Sequence, residues 1–226
     1  MTGNGTVIAS IPAGAVHDPL GHPNSASTST DNSVTLVRFW CVAPDGDDTR
    51  TGKGWDQSLA TISNAVDRAN AGDEILISNG LYRITEQIAV NKAVTLSGFG
   101  GTRDAVIVAR DPGATNRIFL LDGGAVIQGL SILDGLLWAT NLPYAQTLFG
   151  AGVHMSNAIL RDCVIANCVL SLTHSNLNSG GGGIYMNHTD ARVENCVISN
   201  NAYLLTTVGT TGNGSHRDGG GGIFLD

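Results

Sequence analysis

One spacing constrains this chain more than any other feature. Three segments, AVIQGLSI at 125–132, AILRDCVI at 158–165 and ARVENCVI at 191–198, follow each other at intervals of 33 residues. Aligned, they hold three apolar columns: Ile127/Leu160/Val193, Leu130/Cys163/Cys196 and Ile132/Ile165/Ile198. The two-residue step between the last two columns is ordinary strand alternation. The three-residue step before it crosses a turn, occupied by Gly129, Asp162 or Asn195. A second motif recurs between the copies, as GAGVHM at 150–155, GGGIYM at 181–186 and GGGIFL at 220–225. Each unit therefore reads as a Gly-rich entry, one strand, a turn, two more strands and a long variable loop. Strands this short cannot bury their apolar side alone, whereas stacked copies can. The pattern predicts an all-β fold, a right-handed parallel β-helix (a solenoid) with coils stacked at about 4.8 Å. Loops 137–149, 168–180 and 202–218 leave one face of it.

Other columns support that stacking. Asp134, Asn167 and Asn200 also lie 33 residues apart, placed to form a side-chain ladder at a turn, and Arg161 and Glu194 form an outward pair of opposite charge. Cys163 and Cys196 fall in an inward column. Neighbouring coils bring their Cα atoms within disulfide range, while parallel side chains in a core favour two buried thiols.

Upstream the period changes. Leu59, Ile62, Ala65, Val66 and Ala69 mark one face of an amphipathic helix over 58–71, with Gly72 placed to end it. Short apolar runs follow: 74–77, 88–90, 94–96, 106–108 and 118–121. A lone helix leading into such a series reads as a lid over the open end of the stack. The organisation expected is a polar, turn-rich segment over 1–36, a cap over 37–73 and coils over 74–226. The last coil stops at Asp226 in mid-repeat, so both ends read as cut.

Composition excludes several classes. Glycine supplies 30 of 226 residues and charged residues only 14%, which is unlike a helical bundle. With 12 basic against 19 acidic residues the net charge is −7, so nucleic acid is not an expected partner. No apolar run approaches the ~18 residues of a membrane-spanning helix. The four cysteines match neither a zinc motif nor a C-x-x-C redox motif.

Two resemblances follow from quoted residues. GTVIASIPAGAVHDPLGHPNSASTSTDNSVT, within 1–36, resembles the last strands of a bacterial immunoglobulin-like module. From 39 onward, VAPDGDD and ATISNAVDRANAGDEILISNGLYRITEQIAVNKAVTLSGFGG resemble the N-terminal cap and first coils of pectin-lyase-like β-helix proteins. GGGIYM and VENCVISNN are similar to repeats of bacterial surface β-helix proteins, including the choice-of-anchor Q and polymorphic outer membrane proteins. The resemblance implies an extracellular or cell-surface protein presenting loops for adhesion or carbohydrate binding. The alternative it implies is the N-terminal part of a polysaccharide lyase or glycoside hydrolase whose active coils lie beyond residue 226. A polysaccharide or host-surface ligand is the expected partner, with self-association through the cut last coil.

Chemistry is sparse. Enzymes of that fold need stacked acidic residues beside an Arg or Lys. Here both lysines, Lys53 and Lys92, precede the repeats, and no catalytic residue is assigned. Asp45, Asp47 and Asp48 form the one candidate metal loop. Carboxylates suit calcium, but the spacing lacks the remaining ligands of an EF-hand, and a solvated turn is the competing reading. No other cofactor is expected. His154, His174, His188 and His216 show no ligand spacing. The Gly runs at 180–183 and 219–222 lack the Lys-Ser/Thr of a phosphate loop and read as tight coil entries.

Overall fold

A computed structural model describes residues 5–8, 10–26, 33–36, 38–139, 148–172, 179–205 and 218–226. The chain divides into two compact units, Met1–Arg38 and Phe39–Asp226. In the first, strand Gly5–Ile8 pairs antiparallel with Ser33–Leu36. Between them Asp18 Oδ1 accepts the Leu20 and His22 backbone N–H groups and closes a turn.

Among the described residues the second unit is all-β apart from one α-helix and one 3-10 turn, and its strands pair in parallel. The first sheet contains Phe39–Val42, Glu74–Ser78, Thr95–Phe99, Ala125–Gln128, Ala158–Arg161 and Arg192–Glu194. A second contains Gly80–Ile84, Val106–Arg110, Ser131–Leu133, Val164–Ala166 and Val197–Ser199. A third contains Ile88–Val90, Phe119–Leu121, Val153–Met155, Ile184–Met186 and Ile223–Leu225. The chain visits the three in turn and returns to the first one strand further along.

The 33-residue register holds. Ile127 pairs with Leu160 and Leu160 with Val193, and Ile132, Ile165 and Ile198 align likewise. The first column also runs down through Leu96 and Ile75 to Trp40, in coils too degenerate for the repeat to reveal. Ile127, Leu130, Ile132, Leu160, Cys163 and Ile165 are fully buried. Val193, Cys196 and Ile198 were expected to be buried and are half-buried. Their strands lie at the edges of the first two sheets, so no coil covers their outer side.

Turn residues explain the repeat's polar columns. Gly129, Asp162 and Asn195 all take positive φ (69°, 53° and 50°), as do Asp134, Asn167 and Asn200 (64°, 58° and 54°). Only Gly, Asn and Asp visit that region cheaply. The side-chain ladder expected at Asp134/Asn167/Asn200 occurs instead at the other turn, where Asn195 Nδ2 donates to Asp162 Oδ1. The Gly-rich entries have a packing cause: a Cβ on Gly183 would stand 2.6 Å from the Gly222 carbonyl oxygen of the next coil.

The sequence reading assigned 137–149, 168–180 and 202–218 wholly to loops. Their first residues are strands: Leu136–Ala139, Val169–Leu172 and Ala202–Leu205 build a fourth parallel sheet. The chain rejoins the coils through Phe149, which bridges to Gly180, and through Ser179–Gly180, which pairs with Asp218–Gly219.

The cap differs in extent. The α-helix (α1) spans Ile62–Arg68 rather than 58–71. Ser58 and Leu59 stay extended because they serve the edge strand. Leu59 N–H donates to Cys41 O, Leu59 O accepts from Ala43 N–H, and Gly52 O accepts from Cys41 N–H. Those bonds satisfy the outer edge of Phe39–Val42, which would otherwise offer itself to another chain. Thr61 caps α1 by accepting from Asn64 N–H. Lys92 Nζ donates to the Val66 and Ala69 carbonyls at the other end, where a cation is favoured. Ala69 is already extended, so Gly72 (φ 85°) turns the chain four residues beyond the end of the helix. Leu59, Ile62, Ala65, Val66 and Ala69 are buried as the period requires.

Candidate functional site

Two outward ladders carry polar or aromatic side chains. On the first sheet Ser97, Gln128, Arg161 and Glu194 occupy successive strands in one register. Gln128 Nε2 donates to Ser97 Oγ at 2.9 Å, and Ser97 Oγ donates to Glu74 Oε1 at 2.7 Å. Arg161 and Glu194 are neighbours as the repeat predicts, yet among the described residues they form no ion pair, and Arg161 Nε is buried without a partner. The two carboxylates, Glu74 and Glu194, sit on strands four steps apart, about 19 Å at the strand spacing. Paired carboxylates that cut sugar chains stand roughly 5–9.5 Å apart, so this ladder holds no such pair.

The third sheet presents the other ladder, with Leu120, His154, Tyr185 and Phe224 in register. Strand alternation turns these residues outward while Phe119, Val153 and Ile184 point into the core. Phe149 folds onto this column: its ring stacks on Tyr185 at 3.9 Å and 14°. Phe224 stacks on Tyr185 from its other neighbour, at 5.8 Å and 13°. His154 meets the Tyr185 ring edge-on at 4.8 Å. Tyr185 is buried although it points outward, and its hydroxyl donates to Asp226 Oδ2 at 2.9 Å.

Arg117 belongs to this cluster. Its Nη2 donates to Phe149 O at 2.9 Å, and its buried Nε has no partner among the described residues. Burial lowers the guanidinium pKa, and burial followed by Arg117 holds His154 down to about 4. His154 is thus a neutral ring at physiological pH. The segments 140–147, 173–178 and 206–217 contain no Asp or Glu, so they bring no carboxylate to Arg117. Among the described residues this half-buried guanidinium forms no ion pair, and it lies beside Phe149 and His154.

Sequence reasoning missed Arg117, Phe149, Tyr185 and Phe224 as a group. The signal was present: the fifth position of each Gly-rich entry is His, Tyr or Phe. Arg117 and Phe149 lie outside the repeat, and only folding brings them there.

Two of the three aspartates of the candidate metal loop, Asp47 and Asp48, make separate hydrogen bonds within the chain. Asp47 Oδ1 accepts from Thr49 N–H and Oγ1–H, which holds its carboxyl below the usual range. Asp48 Oδ1 accepts the Ala60 and Thr61 N–H groups, and its Oδ2 accepts the Thr61 hydroxyl. Asp45 lies at the start of the same loop. Among the described residues, no three His, Cys, Asp or Glu side chains are grouped to hold a metal ion. His188 sits on an exposed turn and accepts from Asp190 N–H, while His174 and His216 lie outside the described residues. Cys41, Cys163, Cys168 and Cys196 are free thiols. A cleft of about 350 Å³ also opens between Pro44, Thr61 and Ile62 of the cap and Tyr82, Arg83 and Glu86. No helix among the described residues is long and apolar enough to cross a membrane.

No protein-family model and no curated protein matches this chain. Among solved structures it is similar to a rhamnogalacturonan lyase, at 12% identity and a TM-score of 0.38, over 84% of this chain and 60% of that one, so it spans less than two thirds of the lyase's length.

Proposed function

We propose that Phe39–Asp226 is a right-handed parallel β-helix that binds an acidic glycan, without cleaving it, at the Arg117–His154–Tyr185 face. Handedness follows from a general rule: crossovers between parallel strands of one sheet are right-handed in about 98% of cases. The binding reading rests above all on Arg117, a half-buried guanidinium with no ion-pair partner among the described residues, beside the stacked Phe149, Tyr185 and Phe224 rings. Desolvated cations retain stability only when an anion compensates them. Aromatic side chains next to that cation suit the apolar face of a sugar. The net charge of −7 repels anions at long range, so selectivity falls to this short-range contact.

In this reading the protein is extracellular or displayed on a bacterial surface, and residues 1–36 are the end of an immunoglobulin-like module. Cleavage is not favoured, because Glu74 and Glu194 are far apart and His154 is a weak base. Titration calorimetry with an oligogalacturonate and with its reduced, neutral counterpart tests the proposal. The acidic oligomer should bind, with at least a tenfold loss in Arg117→Met and little binding of the neutral one. Equal binding of both oligomers, or release of shortened chains on incubation, overturns it.

A further inference from the structure

We infer that Cys163 and Cys196 are a reactive dithiol that closes into a disulfide, stapling the coil that carries Arg192–Glu194 to its neighbour that carries Ala158–Arg161. The claim is independent of the glycan reading. The two residues lie between aligned pairs, Leu160 with Val193 and Val164 with Val197, and Val197 N–H donates to Cys163 O at 2.9 Å. Their Cα atoms are therefore about one strand spacing apart, ~4.8 Å, inside the 4.4–6.8 Å that disulfides span.

Both thiols use the same local geometry. Cys163 Sγ donates to Arg161 O at 3.1 Å and Cys196 Sγ to Glu194 O at 3.3 Å, each to the carbonyl two residues back. One side chain is the other translated by one coil, so joining them takes a rotation about one Cα–Cβ bond and a small approach of the two Cβ atoms, which a bridge holds about 3.5–4.5 Å apart. Cys196 is free to make it. It lies between the strands Arg192–Glu194 and Val197–Ser199 and is half-buried, whereas Cys163 is fully buried.

The thiols also differ in reactivity. Interaction between the two thiols lowers the pKa of Cys196 and raises that of Cys163. Burial pushes Cys168 up to about 12 and raises Cys41. Cys196 is thus the thiolate nucleophile, Cys163 the resolving thiol, and the other two are inert.

With a low-molecular-weight disulfide as oxidant the steps balance. The Cys196 thiolate attacks one sulfur of oxidised glutathione, forming a mixed disulfide and releasing a glutathione thiolate. That thiolate takes the Cys163 proton, and the Cys163 sulfur then attacks Cys196 Sγ and expels the second glutathione. Two protein thiols are oxidised and one glutathione disulfide is reduced to two thiols.

The test treats the full chain with oxidised glutathione near pH 8, followed by alkylation and peptide mapping. A Cys163–Cys196 linked peptide lighter by two hydrogens is expected, with Cys41 and Cys168 alkylated only after unfolding. Amide exchange at Val197 and Ile198 should slow by about tenfold on oxidation, since the staple suppresses local opening. Cys163→Ala, which keeps a small apolar side chain, should halt Cys196 at the mixed disulfide. No reaction, a different pairing, a link between two molecules, or a wild-type protein that also halts at the mixed disulfide would overturn the inference.

Discussion

Asn195 Nδ2 donates a hydrogen bond to Asp162 Oδ1 directly across one coil, and both residues turn the chain at positive φ. The two facts have one cause. A column that must adopt the left-handed region excludes most residues, and Asn and Asp alone combine that tolerance with a hydrogen-bonding side chain. Asn195→Ala loses the bond and strains the turn, and should cost about 1–2 kcal/mol. Asn195→Gly loses the bond but relieves the turn, and should cost less than about 1 kcal/mol. Urea denaturation of both variants measures the ordering. Equal losses would mean that backbone strain plays no part at this column.

The cap prediction concerns Leu59, which is fully buried while its backbone completes the ladder of Phe39–Val42. Leu59→Asp places an unpaired charge in that contact, which buried sites do not tolerate. The lid should lift, exposing a sheet edge, and the variant should elute as oligomers or precipitate on size-exclusion chromatography. Leu59→Met, which conserves volume, should elute as the wild type does. A monodisperse Leu59→Asp protein eluting at the wild-type volume would remove Leu59 from the edge-covering role.

Legibility followed periodicity. Ile127, Leu160 and Val193 announced their register because the spacing is constant and the columns are apolar. Trp40, Ile75 and Leu96 continue the same column, yet their coils differ in length and residue type, and no repeat betrays them. The helix was read too long because Leu59 fits the helical face by spacing, while its backbone was claimed by Cys41 and Ala43. Leu136–Ala139 and its two partners were missed as strands because each leads into a stretch of sequence rich in turn-forming residue types. The candidate site was half legible. His154, Tyr185 and Phe224 share a motif position, but Arg117 reaches them only through packing.

The Asp45–Asp48 loop separates two readings. Asp48 already satisfies Ala60 N–H, Thr61 N–H and the Thr61 hydroxyl at the entrance to α1. Asp48→Ala should cost about 1–2 kcal/mol, as loss of a helix-entry cap does, and lower the Tm by a few degrees in a domain of this size. Thermal melts of the wild type with calcium and with a chelator address the metal directly. Melts that coincide assign the loop a structural role, whereas a calcium-dependent rise abolished in Asp47→Asn would assign it calcium.

His154 makes stability depend on pH in a defined window. Its folded pKa is about 4, lowered by burial and then by Arg117, against about 6.5 in the unfolded chain. Above about pH 6.5 the ring is neutral in both states and contributes no pH dependence. As the pH falls from about 6.5 towards 4, the unfolded chain takes up a proton that the folded site refuses, and stability declines; below about 4 both states are protonated and the decline stops. Asp47, whose folded carboxyl pKa is lowered by the Thr49 N–H and hydroxyl, acts in a lower window: its contribution is present above the ordinary carboxylate pKa and is lost below it. The two are therefore separable. Denaturation of wild type and His154→Gln at a series of pH values should give a difference that is flat above pH 7 and slopes between about 6.5 and 4. A difference that stays flat across that interval would show His154 titrating as an exposed imidazole does. The Arg117 guanidinium would then not be held, desolvated, beside it.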